Sequence, residues 1–231
     1  PLADALRSVM ACVKTGERAA IQHFAELLPL VPPAVREEPA FQAIVNGALE
    51  RSLVATDRSE SEKALLVARL MSAGASGWEE VALAQMGSAE SGGYVMANVP
   101  RLFPRLVARV RELAPTLDHY TSQQFCERIK GDPNEEWRPA VVALLDSAAP
   151  QVRAAAIDAL STAWPAAILD VAARVVADSD SSVRQRGYYA LAASLDRRAI
   201  PLLIDALHDQ VCVKTVADAL DRLQYYFDSK E

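Results

Sequence analysis

Three stretches in the C-terminal half of the chain align without gaps: Val152–Leu160 (VRAAAIDAL), Val183–Leu191 (VRQRGYYAL) and Cys212–Leu220 (CVKTVADAL). Their first residues are 31 and then 29 residues apart. Each stretch begins with an apolar residue, has a small or β-branched residue four positions later, and carries Ala-Leu at positions seven and eight. Because an α-helix makes one turn in 3.6 residues, these offsets share one helix face. The pattern predicts three similar helices, each with a buried face.

Another amphipathic stretch precedes each of the three, and the turn between the two contains aspartate, a residue suited to capping a helix. The preceding stretches are Pro139 to Leu145, Ala166 to Val176 and Ala199 to Leu207, and the turn aspartates are Asp146, Asp178 to Asp180, and Asp209. The sequence therefore predicts helix-turn-helix units near 139–162, 166–194 and 198–227. A unit repeated about every 30 residues is typical of a solenoid.

An apolar helix, an Asp-containing turn and then Val-Arg-x-x-Ala-x-x-Ala-Leu resemble HEAT repeats, especially the short units named after phycobilisome lyases, over residues 139–223. The marks of ankyrin and tetratricopeptide repeats are absent. The resemblance implies an all-α fold, a right-handed α-solenoid of antiparallel helix pairs, with about 11 to 13 helices in the chain. The third unit departs from the pattern, because Val213 stands where Arg153 and Arg184 stand in the first two.

Outside the repeats, apolar residues recur at helical spacing and no segment alternates as a strand would. The predicted helices are Leu2–Val13, Arg18–Leu30, Val35–Val54, Ser61–Met71, Arg101–Leu113 and Ser122–Ile129. The glycine-rich run from Gly87 to Pro100 is predicted to be a long loop or a boundary. We expect an N-terminal helical region over 1–90, a loop and helical connector over 91–133, and the repeat region over 134–231. Whether the N-terminal half consists of divergent repeats stays open.

Composition narrows the class of protein. Lys and Arg number 24 against 30 for Asp and Glu, a net charge of −6 that disfavours broad attraction to nucleic acid or anionic membranes. No apolar run approaches the ~20 residues of a membrane span, and no secretory signal is visible at the N-terminus. Cys12, Cys126 and Cys212 lie far apart, which fits buried thiols in a reducing compartment. We expect a cytoplasmic protein.

Enzyme motifs are weak, so no cofactor or metal is expected. The run Ala89–Gly93 (AESGG) lacks the strand that a nucleophile elbow needs. His23, His119 and His208 have no partner His or Cys at metal-ligand spacing. Glycine-rich phosphate loops are absent.

The resemblance implies that the second helix of each unit lines the concave side, where a partner binds. Offsets 2, 5 and 6 should then point away from the core, and Tyr188 and Tyr189 are favoured anchors, although one of the pair packing into the neighbouring unit is the alternative. Arg153 and Arg184, at the edge of the core face, are expected to bond the neighbouring turn. The candidate partner-binding residues are Asp158, Gln185, Tyr188, Tyr189, Lys214 and Asp218.

Two other sets of residues are weighed as sites. Arg101, Arg105 and Arg109 are spaced four apart and form a predicted basic stripe on one helix side, or an ordinary solvated face. Three tryptophans stand near turns, where they either wedge between helices or offer a stacking platform. They are Trp78, Trp137 and Trp164.

Three functions are compatible with these features. The first is a non-catalytic scaffold or adaptor that binds an unidentified protein or peptide. The second is a DNA-binding enzyme resembling the HEAT-like alkylation-repair glycosylases. In that enzyme Trp137 or Trp164 would stack on a base and Asp146 or Asp158 would assist bond cleavage. The phosphates would be contacted by Arg101, Arg105, Arg109, Arg153 and Arg184. The third is a bilin lyase-type chaperone. The partner, the oligomeric state and whether the chain is part of a longer protein stay open.

Overall fold

The computed structural model describes residues 30–54, 78–88, 91–99 and 101–230, together with residues 11, 24, 26 and 27. The chain divides into two compact units, Pro1–Arg109 and Val110–Glu231. Apart from isolated positions, the helices predicted over 2–13, 18–30 and 61–71 lie outside the described residues. The domain boundaries expected from the sequence stay predictions, as does the total number of helices.

The described parts of the first unit are helical. They comprise α1 (Pro33–Arg36), α2 (Pro39–Val54), α3 (Trp78–Gln85), α4 (Gly92–Asn98) and α5 (Pro104–Leu113), the last of which contains the boundary between the units. The prediction of one helix over Val35–Val54 is wrong, because Glu37 and Glu38 separate α1 from α2. Pro39 explains the break, since a residue that precedes proline is disfavoured in the helical conformation.

The predicted loop between Gly87 and Pro100 contains helix α4 instead. Val95 and Met96 are buried and give α4 an apolar side, Val99 just beyond its end is buried too, and the Ser91 hydroxyl at its start donates to Gln85 Oε1 at 2.7 Å. The two glycines that lowered the expectation of a helix, Gly92 and Gly93, are themselves buried. Tertiary packing therefore outweighs the low helix propensity of glycine here.

Helix α5 starts three residues later than its predicted start at Arg101. Pro104 occupies its first turn, where proline's fixed φ is favourable and its missing N–H costs nothing. Leu106 and Val110 lie on the buried side of α5. Arg101 consequently lies outside the helix, so it does not stack with Arg105 and Arg109 as predicted.

The second unit is a two-layer arrangement of helices. The long-helix layer consists of α6 (His119–Gly131), α8 (Pro150–Ala163), α10 (Ser181–Ala193) and α12 (Val213–Asp228), each packed against the next. The other layer holds the shorter α7 (Arg138–Ala143), α9 (Ala172–Val176) and α11 (Ala199–Asp205), which pack on the long helices. Short 3-10 segments join or extend them: Glu135–Trp137, Leu144–Asp146, Pro165–Val171 and Ala206–His208. With no strand among the described residues, the all-α prediction is confirmed.

The repeat offsets that define the aligned stretches mark the core. Offsets 0, 4 and 7 are buried in all three units, and offset 8 is buried at Leu160 and Leu191 but only half-buried at Leu220. The predicted α-helix over Ala166–Val176 is α-helical only in α9. The preceding 3-10 turn buries Ile168 and Val171, whose spacing of three residues suits that tighter helix.

Candidate functional site

Arg153 on α8 joins the first repeat unit to the second. Its Nε and Nη2 each donate to a carboxylate oxygen of Asp178 at 2.7 Å, 25 residues along the chain. Its Nη1 donates to the carbonyl oxygen of Ser147 at 2.9 Å and to that of Ala148 at 3.2 Å. The guanidinium therefore ties its own turn to the turn of the following unit through charge-assisted hydrogen bonds.

Arg184 on α10 repeats this arrangement one unit later. Its Nε donates to Asp209 Oδ2 at 2.6 Å, and its Nη1 donates to the carbonyl oxygen of Asp178 at 2.8 Å. The hydrogen bonds from Arg184 hold the pKa of Asp209 well below its usual value. In the third unit Val213 occupies the equivalent position, so no third arginine of this kind is present.

Tyr188 packs towards the neighbouring unit, the alternative that the sequence left open for one of the two tyrosines, and so is not an exposed anchor. Its side chain is 1% exposed and its hydroxyl donates to Asp209 Oδ2 at 3.2 Å. Burial, with the nearby Asp209 carboxylate, raises the pKa of Tyr188 to about 12. Ile157 at the same offset is buried as well, and both α8 and α10 pack against the next long helix.

The solvent side of the long-helix layer carries a depression of about 610 Å³, here called the long-helix depression. Residues of all four long helices line it, and one of them, Tyr189, is 48% exposed. The side chains that define it chemically are Lys130 from α6, Asp158 from α8, Gln185, Arg186 and Tyr189 from α10, and Arg222 from α12. Three of the six predicted partner-binding residues, Asp158, Gln185 and Tyr189, are thereby brought together.

The remaining two candidates lie elsewhere on the same layer. Lys214 and Asp218 are exposed on α12, but neither lines the depression. Lys130 and Arg222 were not predicted because they lie outside the three aligned stretches, and Arg186 was not predicted because offset 3 is not among the offsets 2, 5 and 6 expected to face a partner. A helical wheel extended along α12 places Arg222 two turns beyond Lys214, which is the signal that was available.

The predicted basic stripe is largely neutralised. Arg105 Nη1 donates to Glu80 Oε1 at 2.5 Å and Nη2 to Glu80 Oε2 at 3.2 Å, and Arg101 lies 3.8 Å from Glu79. This pairing with the glutamates of α3 lowers the pKa of Glu80. The stripe therefore does not present three free cations to a phosphate backbone.

The residues proposed for a DNA glycosylase are engaged in packing or in ion pairs. Trp137 and Trp164 are each only 8% exposed, so neither forms an open stacking platform. Asp146 accepts a hydrogen bond from Arg174 Nη2 at 2.5 Å, and Asp158 pairs with Arg186. The side chain of Trp78 lies outside the described residues.

Among the residues that the structure describes, the thiols and histidines form no reactive group. Burial raises the pKa of Cys126 to about 12, so its thiol stays protonated, and Cys212 is also buried. Where the structure describes the chain, no three His, Cys, Asp or Glu side chains are grouped as metal ligands. Within the same residues, no helix is both long enough and apolar enough to cross a membrane. Cys12 and His23 lie outside the described residues.

Comparison with known proteins agrees with the repeat geometry. Residues 138–221 match the family model of HEAT repeats, a span that contains all three aligned stretches. The match supports a HEAT-like repeat family for this segment, which is somewhat over a third of the chain. No curated protein and no solved structure matches the chain.

Proposed function

We propose that the protein is a non-catalytic scaffold that binds a protein or peptide on the solvent side of its long-helix layer. The observation that carries the proposal is the placement of Tyr189. Its ring is half-exposed at the edge of the long-helix depression, while its neighbour Tyr188 is buried. A rigid side chain with an apolar ring and a polar tip is favoured at binding surfaces.

The surroundings of Tyr189 support this use. The depression is concave, it is bordered by polar side chains such as Gln185, and the layer beneath it is fixed by the Arg153 and Arg184 bridges. A preorganised surface loses less conformational entropy when a partner binds. HEAT repeats, which the segment matches, commonly present such surfaces to other proteins.

The test compares two exposed tyrosines on neighbouring long helices. The protein and its Tyr189→Ala and Tyr225→Ala variants are used as bait in native lysate, and the captured proteins are identified by mass spectrometry. Tyr225 is a matched control because it is 79% exposed on α12 and does not line the depression. We expect at least one partner to bind the parent and Tyr225→Ala but to be lost from Tyr189→Ala. Equal capture by all three proteins contradicts the assignment of the surface.

The finer features expected from the sequence stay part of this proposal. They are the right-handed coiling of the helix pairs, the phycobilisome-lyase type of the units, and a cytoplasmic location, which the buried thiols of Cys126 and Cys212 support. No observation favours the glycosylase alternative, because its arginines and tryptophans are engaged within the protein. The bilin-chaperone alternative has only the name of the repeat type behind it.

A further inference from the structure

The charges of the long-helix depression differ from those of the unit around it. Residues 110–231 contain 13 lysines and arginines against 18 aspartates and glutamates. The depression reverses this balance, because Lys130, Arg186 and Arg222 line it together with a single carboxylate, Asp158. The three cations come from three different helices, so the fold brings them together.

Two of these cations, Arg186 and Lys130, have ion-pair partners within the protein, whereas the third, Arg222, has none among the described residues. Arg186 pairs with Asp158 across α10 and α8, and Lys130 Nζ donates to Glu127 Oε1 at 2.9 Å within α6. Arg222 makes no ion pair with any residue that the structure describes, although Asp218 stands one turn before it on α12. The depression therefore has an uncompensated guanidinium on one side and the half-exposed Tyr189 ring on another.

We propose that this depression binds an acidic peptide segment of the partner, with a glutamate or aspartate side chain on Arg222. The inference rests on the proposed scaffold function and specifies the chemistry of what is bound. A guanidinium donates two parallel hydrogen bonds to a carboxylate, and Lys130 on α6 adds positive charge to the same depression. The amide of Gln185 and the hydroxyl of Tyr189 supply hydrogen-bonding groups for the peptide backbone.

Nucleic acid fits this site less well than an acidic peptide. A phosphate backbone is bound by many cations along a track, and its affinity grows with the number of phosphates neutralised. Here the three cations line one depression together with Asp158, and the unit as a whole carries an excess of negative charge. A short segment with a few carboxylates matches the cluster without extending over the acidic surroundings.

The test uses two unpaired, exposed cations of the same helix. Lys214 lies two turns before Arg222 on α12 and outside the depression, so Lys214→Glu is a matched control for Arg222→Glu. The probe is a fluorescently labelled peptide of alternating glutamate and alanine, compared with the same peptide carrying glutamine for glutamate. Its affinity for the full chain is measured by fluorescence anisotropy at low and at high salt.

We expect the glutamate peptide to bind the parent and Lys214→Glu alike, and to bind Arg222→Glu about tenfold more weakly, with affinity falling as salt rises. Equal binding of the glutamine peptide, or equal weakening by both charge reversals, overturns the proposal. Competition by single-stranded DNA at lower concentration than the peptide also overturns it, in favour of nucleic acid. If Tyr189→Ala loses its cellular partner while Arg222→Glu keeps it, the scaffold function stands and the acidic ligand does not.

Discussion

At the scale of single residues, Asp209 is the most heavily used side chain of the repeat region. Its carboxylate accepts hydrogen bonds from Arg184, from the Tyr188 hydroxyl and from the backbone N–H groups of Val211 and Cys212. It thus organises its own turn and holds the preceding unit at the same time. Losing the negative charge at this position weakens both.

The change Asp209→Asn is expected to lower the free energy of unfolding by about 2 kcal/mol at neutral pH, the size of a lost hydrogen bond to a charged group. Because the fold lowers the pKa of Asp209, its contribution is complete above the unfolded-state pKa near 4 and is lost as the pH falls through the folded-state value. Urea unfolding of parent and variant at several pH values measures this. The gap should narrow below about pH 4.

Asp205→Asn is the control for that experiment, since Asp205 is exposed on nearby α11 and its carboxylate makes no hydrogen bond among the described residues. We expect it to change the free energy of unfolding by less than about 0.5 kcal/mol. A gap for Asp209→Asn that stays constant down to the acid transition contradicts the role given to its charge.

Sequence reasoning reached some of these residues and missed others for a physical reason. Arg153 and Arg184, at offset 1, were expected to bond the neighbouring turn. Each has a charged group that needs a partner, and the turn of the next unit contains an aspartate that supplies one. The sequence left open which of Tyr188 and Tyr189 packs into the neighbouring unit, because helical offsets define one core face, whereas a helix between two neighbours is buried over a wider arc. In the third unit the same offset carries Ala217, which is exposed.

At the scale of elements, Gly187 sets the distance between α10 and α9. A Cβ atom added there lies 1.9 Å from Cγ1 and 3.3 Å from Cβ of Val175. No side chain fits without moving one of the two helices or turning the valine. The sequence placed Gly187 at offset 4 of the predicted core face, and the structure shows that it packs there against Val175.

The change Gly187→Ala is therefore expected to destabilise the protein by about 1 to 3 kcal/mol through overpacking, despite the better helix propensity of alanine. Val175→Ala removes the clashing methyl groups, so the double variant should lose less than the sum of the two single variants. Thermal unfolding of all four proteins gives the coupling. A stabilised Gly187→Ala protein, or strictly additive losses, argues against the close approach.

The bounds of the helices were predicted less accurately than their existence in the repeat region. Helix α6 extends from the Asp118 cap to Gly131, further at both ends than the predicted Ser122–Ile129, because its first turn is fixed by the Asp118 carboxylate accepting from Thr121 N–H at 2.9 Å. Helix α4 was missed because its glycines look like loop residues until their burial is known. The error at α4 arises because tertiary packing outweighs local propensity, whereas the start of α6 is set by a local cap that the apolar pattern does not contain.

At the scale of the whole repeat region, the two arginine bridges are equivalent in every donor and acceptor. Arg153 and Arg184 each reach back six residues to a carbonyl and forward 25 residues to a carboxylate. Excision of residues 153–183 joins Val152 directly to Arg184. The guanidinium of Arg184 then meets the Ser147 carbonyl behind it and Asp209 ahead of it, as before.

The excised protein is expected to fold, with cooperative thermal unfolding at a lower melting temperature because one unit of buried surface is gone. A deletion of residues 153–181 serves as the comparison, since it shifts the helix offsets by two residues and places Arg184 eight residues after Ser147 instead of six, while its spacing to Asp209 is unchanged. Circular dichroism melts distinguish the two. Equally cooperative unfolding of both shortened proteins rules out the bridges as the determinant of register.

This equivalence has a consequence for how such a chain changes over generations. A gain or loss of one whole unit within the gene preserves the spacing of the remaining bridges without a compensating point mutation, whereas an insertion or deletion of a few codons between an arginine and its aspartate changes the 25-residue spacing of that bridge. Because the arginine and aspartate pairs have a fixed spacing, they favour changes in the length of the repeat region that add or remove a complete unit.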